Sequence, residues 1–136
     1  MTNRVMLDSN AVSDILNAYI HPSNLDEYDD ILLSAIVLGE LFFMVEKSGQ
    51  KKRNSQNLEV LIADWSIIPA DELTAKYYAR VHANLVSQGR VAKVADMWIA
   101  AHAWQYDTPL VSRDKHFDAI DQIKIIRWPT PPTTTK

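Results

Sequence analysis

Four carboxylates in this chain stand where their neighbours do not call for one. Asp8 follows the apolar run Val5-Met6-Leu7, and Glu40 lies inside the apolar stretch between Ala35 and Lys47. Asp96 opens a helix of small and apolar residues, and Asp114 stands just past Leu110-Val111-Ser112. Each has an ordinary explanation. Asp8, like Ser9 or Asn10, can cap the helix that follows. Glu40 can sit in a salt bridge, and Asp96 can complement a helix dipole. Brought together, the four could do chemistry. Like charges at one rim cannot all stay ionised without a cation. Oxygen-only ligands suit Mg²⁺, or Mn²⁺, better than zinc. Such an ion activates water and neutralises a phosphate oxygen, so phosphodiester hydrolysis is the natural reaction.

The elements that would position them alternate from end to end. Short apolar runs bounded by turn residues read as buried strands at residues 4–7, 31–33, 65–68, 109–112 and 123–128. Between them lie helical patterns. Val12, Ile15, Leu16 and Tyr19 form one stripe, ended by Pro22. Ser23 or Asn24 can cap a short acidic turn over residues 25–30. Ser34 can cap the helix Ala35–Lys47, apolar on more than one face and so buried or facing a partner. Ile36, Phe43 and Met44 share the face of Glu40, where an unpaired carboxylate is costly. The basic cluster Gln50-Lys51-Lys52-Arg53 reads as a solvated start of the next helix. Asp71 can cap a helix with Leu73, Tyr77, Val81 and Leu85 on one face, and Gly89 suits its end. His82 reads as a surface residue. His102, in the helix of Asp96, reads as core or as support for the acids, not as a metal ligand.

This alternation predicts an α/β fold, a three-layer sandwich around a mostly parallel five-stranded sheet. Ligands of such sheets bind beyond the carboxyl ends of the strands. Asp8 and Asp114 stand at such ends, and Glu40 and Asp96 lie early in helices starting from that region.

Size and composition narrow the field. The 136 residues suit one domain, and 47% hydrophobic content supplies a core. The expected division is a single domain over 1–129 and a flexible Pro- and Thr-rich tail over 130–136. No cysteine is present, which excludes disulfides, thiolate zinc sites and cysteine nucleophiles. No apolar run approaches a membrane span, and the polar start is unlike a signal peptide, so a cytoplasmic protein is expected. A net charge of −3 argues against a generally basic coat, though not against a local basic rim.

Four segments carry a family resemblance: Met6-Leu7-Asp8-Ser9-Asn10, Gly39-Glu40-Leu41, Asp96-Met97-Trp98-Ile99-Ala100-Ala101 and Leu110-Val111-Ser112-Arg113-Asp114. In order and over nearly the whole chain, they resemble the four blocks of PIN-domain nucleases, and most of all the VapC toxins of toxin–antitoxin pairs. Ser9 and Ser112 stand where threonine is common, and both keep the hydroxyl. The resemblance implies a Mg²⁺-dependent ribonuclease using Asp8, Glu40, Asp96 and Asp114 as catalytic and metal-binding residues. It also implies an RNA substrate, a cognate antitoxin and a homodimer. Asn10 and Ser112 would orient carboxylates or contact a phosphate. Arg113, Lys115, Arg90 and Lys93 would be RNA contacts, and Asp118 is a possible extra acid, equally explained by a solvated turn. Two other readings stand beside this one. A PIN-fold binding module without activity would keep the architecture. A receiver-like phosphoacceptor switch fits less well, because Asp8 has no acidic neighbour.

Overall fold

The structure, a computed structural model, describes residues 3–129, so the tail expected over 130–136 lies outside the described residues. Strand β1 (Arg4–Leu7) runs through the middle of a five-stranded sheet of order β3-β2-β1-β4-β5. The others are β2 (Asp30–Ser34), β3 (Ser66–Ile68), β4 (Leu110–Val111) and β5 (Ile125–Ile126). All four ladders are parallel. Val5, Met6, Leu7, Leu32 and Leu33 are buried. Alternation fails in these strands because helices cover both faces of the sheet.

Helices α1 (Ser9–Leu16), α2 (Ala35–Lys47) and α3 (Lys51–Ile62) belong to the crossovers that carry the chain from β1 to β2 and β3. Helices α4 (Glu72–Ser87) and α5 (Val94–Gln105) carry it back across β1 to β4. Right-handed crossovers running in opposite directions along a sheet put their helices on opposite faces. The packing agrees, since α1, α2 and α3 touch one another and α4 lies along α5. The strand order therefore reverses between β1 and β4. Their carboxyl ends feed opposite layers, which opens a crevice there.

Several local details differ from the sequence expectation. The first helix stops at Leu16, and Ala18 takes a left-handed conformation (φ 62°), so Tyr19 leaves the stripe and is half exposed. Pro22 ends nothing further: it opens a 3-10 helix, Pro22–Leu25, whose first turn is capped by the ring of His21. Asp30 already belongs to β2, paired opposite Arg4. On α4, Leu73 is exposed and Thr74 is buried in its place. Thr74 closes a capping box with Asp71 and its hydroxyl donates to Gln105 of α5 at 2.6 Å, which turns that side inward. Gly89 does end the helix region with positive φ, and Ser34 does cap α2.

Candidate active site

Asp8 and Asp114 stand at the crevice between β1 and β4, and Glu40 and Asp96 lie near enough to feel the charge of Asp8. Asp8 is the N-cap of α1, and only 4% of it is exposed. One carboxylate oxygen accepts the Ser9 N–H at 2.8 Å. The other accepts the Ser112 hydroxyl at 2.8 Å and the Asn10 amide at 3.1 Å. The Asp8 N–H donates to Val111, so β1 and β4 are stitched together at the crevice floor. Burial pushes the Asp8 carboxyl above the ordinary range, with Asp114 adding to the rise, against the hydrogen bonds from Ser112, Ser9 and Asn10.

Ser112 is the hub of this end. Besides donating to Asp8, its hydroxyl oxygen accepts from Asn10 Nδ2 at 3.2 Å and from the Asp114 N–H at 3.0 Å. Asn10 completes the brace by accepting the Arg113 N–H at 3.2 Å. Both residues thus orient carboxylates. Asp114 caps the short 3-10 helix Lys115–Ala119, accepting the His116 N–H at 2.9 Å.

Glu40 approaches from the second turn of α2, and Asp96 from the first turn of α5. Both carboxyls are pushed above their ordinary range, first by burial and then by neighbouring acids. Those neighbours are Asp8 and Asp96 for Glu40, and Asp114 and Asp8 for Asp96. Lys93, just before α5, opposes the shift at both. Among the described residues, Glu40 Oε1 and Asp96 Oδ2 are the buried side-chain polar atoms with no hydrogen-bond partner. Buried polar atoms are rarely left unpaired. Two orphaned carboxylate oxygens in a cluster of mutually repelling acids fit a divalent cation, and the donor set, rich in oxygen, suits a hard one.

The remaining sequence candidates divide. Lys93 is at the rim, beside Glu40 and Asp96. Lys115 is exposed at the start of its 3-10 helix, and Arg90 is exposed after Gly89. Arg113 has a structural partner: its guanidinium makes two bonds, of 3.0 and 3.2 Å, to the buried carboxylate of Asp14, while half of the side chain stays exposed. Asp118 forms an ion pair with Arg127, which explains it without a role at the rim. His102 is fully buried. Pro69 O lies 3.2 Å from Nε2 and can only accept, so that nitrogen carries the proton and Nδ1, at 2.8 Å, accepts the Ser34 hydroxyl. The histidine ties α5 to the ends of β2 and β3. Sequence reasoning passed over Asp14 and His116. Asp14 lies four residues after Asn10 on the same helix, and His116 two residues after an acid, spacings that could have flagged both.

Residues 5–123 match the PIN domain family. The chain belongs to this family. Within it the chain is VapC-like. It is 31% identical over 104 residues to the ribonuclease VapC5 of Mycobacterium tuberculosis, covering 73% of this chain and 77% of that protein. The crystal structure of VapBC2 from Rickettsia felis, bound to a DNA fragment from its promoter, superposes with a TM-score of 0.86 at 27% identity. That match covers 93% of this chain and 99% of the other. VapBC-5 of Mycobacterium tuberculosis, a member of the VapBC family of toxin–antitoxin systems, superposes at 0.72 with 26% identity, over 93% of this chain and 99% of that one.

Proposed function

We propose that this chain is a divalent-cation-dependent endoribonuclease, the toxin of a toxin–antitoxin pair, acting on RNA in the cytoplasm. The observation that carries this reading is the pair of buried, unpartnered oxygens, Glu40 Oε1 and Asp96 Oδ2, on acids that neighbouring acids push toward protonation. Relatives named as ribonucleases support the substrate class. Mg²⁺, or Mn²⁺, would be held by Asp8, Glu40, Asp96 and Asp114, and supplies a lowered water pKa and charge neutralisation at phosphate when bound.

The chain's own residues do the rest. Asp8 is locked by three donors, so its geometry is set before any ligand arrives. Ser112 and Asn10 hold that rotamer and the turn that carries Asp114. Glu40, with one free oxygen and a raised proton affinity, orients the attacking water and can take its proton. Lys93 offers positive charge to the phosphate, and Lys115 extends that charge along the strand. The water oxygen forms a bond to phosphorus as the bond from phosphorus to the leaving ribose oxygen breaks; that oxygen takes a proton from solvent to become a hydroxyl, and Glu40 gives its own proton back to solvent.

A partner also belongs to this reading. A groove of about 220 Å³ lies among α1, α2 and α3, with Leu16, Leu41, Met44 and Leu58 in its wall and Asn54 and Asn57 at its edge. Met44 in that wall and Phe43 next to it in sequence on α2 are exposed. An antitoxin segment with apolar anchors would cover these residues. A homodimer is the expected state of the toxin itself. The direct test is cleavage of a structured RNA by purified protein. Cleavage in Mg²⁺ or Mn²⁺ that stops in EDTA is expected. A folded protein that leaves RNA intact in both metals would overturn the enzyme reading in favour of a binding module.

A further inference from the structure

One nitrogen stands among the acids. A ring nitrogen of His116 and carboxylate oxygens of Asp96 and Asp114 all lie within 4.8 Å of one another. Two ligands on opposite sides of one Mg²⁺-sized ion are separated by about 4.2 Å, so three atoms this close can share an ion after small side-chain adjustments. A second observation points to a ligand at the same place. Asp96 is only 8% exposed, and its Oδ2 has no partner.

The His116 ring is also free to serve. Its Nδ1 lies 2.9 Å from Asp114 Oδ1, but the same oxygen is already held by the His116 backbone N–H at 2.9 Å. Asp114 therefore keeps its position if the ring turns away. The imidazole is mostly exposed, and no other hydrogen bond ties it down among the described residues. A ring that is neither buried nor needed for the turn can rotate to meet an ion at little cost.

We infer that His116 is a nitrogen ligand of the divalent site, joining Asp96 and Asp114, and that it biases the site toward Mn²⁺ over Mg²⁺. The inference rests on the cation reading above. Its chemical basis is that carboxylate and water serve both ions, but Mn²⁺, the weakest-binding of the first-row transition ions, accepts an imidazole nitrogen more readily than Mg²⁺, which holds to oxygen and its own waters. Removing the ring should then penalise one metal and not the other.

The test is Mn²⁺ titration followed by electron spin resonance, with Mg²⁺ affinity read by competition, on the full chain and on His116→Ala. Wild-type protein should show ¹⁴N modulation in the electron spin echo of bound Mn²⁺, and His116→Ala should lose it. Mn²⁺ affinity should fall ~10-fold or more, the scale of losing an interaction at a metal site. Mg²⁺ affinity should change less than about threefold, since that ion keeps its waters readily. Bound Mn²⁺ without ¹⁴N modulation, or modulation persisting in His116→Ala, would overturn the assignment and leave the carboxylate site intact. Equal losses for both metals would overturn the selectivity. Wild-type protein that binds no Mn²⁺ would overturn this inference together with the cation reading.

Discussion

Replacing Asp96 by Asn should stabilise the metal-free protein. Asp96 is buried beside Asp114 and Asp8, and both raise its proton affinity. Its carboxylate oxygen and that of Asp114 lie within 4.8 Å. Two unit charges at about that distance repel by about 3.5 kcal/mol at an effective dielectric constant of about 20. Asp114 is partly exposed, so water screening removes much of this and leaves about 1–2 kcal/mol. The amide keeps the shape, and its donors can face the acids that remain. For a domain of this size the gain corresponds to about 3–8 °C in Tm. Metal should reverse the order. Wild-type protein at metal concentrations near 100 times Kd should gain about 2.7 kcal/mol, and the variant far less. Differential scanning calorimetry in EDTA and in Mn²⁺ measures both. A variant that melts lower than wild type in EDTA would show that Asp96 is not repelled by its neighbours, and one that gains as much from Mn²⁺ would show that Asp96 is not a holder of the ion.

In the metal-free protein Asp8, Glu40 and Asp96 should together lower stability as pH rises above the ordinary carboxylate range near 4, outweighing buried His102, whose lowered proton affinity acts the other way. Asp8, Glu40 and Asp96 all hold protons more tightly folded than unfolded, so in this window unfolding releases protons and rising pH favours it. Urea melts in EDTA across this range check the slope, and a rising stability would contradict it. Ser112→Ala should cost about 1–3 kcal/mol, because Asp8 and the Asp114 N–H both lose a buried partner. An unchanged urea midpoint would show that the hub is dispensable. Arg113→Met should cost about 2–4 kcal/mol by leaving Asp14 buried without its partner, somewhat below a fully buried pair because the arginine is half exposed. A residue that served only to contact RNA would leave the melting curve in place.

Where pattern and chemistry pointed the same way, the sequence was enough. The apolar runs of β1 and β2, the helix Ala35–Lys47 and the caps at Ser34 and Asp71 are local features, and each formed as its residues dictate. The charge coupling of Asp8 with Glu40, Asp96 and Asp114 follows from strand ends and helix starts sharing one side of a parallel sheet. Details set by tertiary contacts were not legible. Thr74 outcompetes Leu73 for the interior only because Gln105 of α5 is there to receive its hydroxyl. Arg113 looks like a surface cation until α1 brings Asp14 against it. His116 gains meaning only once Asp96, twenty residues earlier in the chain, is placed beside it.

Glu40→Gln separates a metal-holding carboxylate from a merely structural one, because Glu40 is the acid least explained by capping. Two readings of one sample decide it: melting in EDTA and cleavage of a structured RNA in Mg²⁺. A metal-holding Glu40 should give a variant that melts at or above the wild-type temperature, since repulsion from Asp8 and Asp96 is relieved. Cleavage should fall by at least ~10²-fold, the scale of losing one positioned catalytic group. A variant that melts several degrees lower and cleaves at the native rate would contradict the four-acid site.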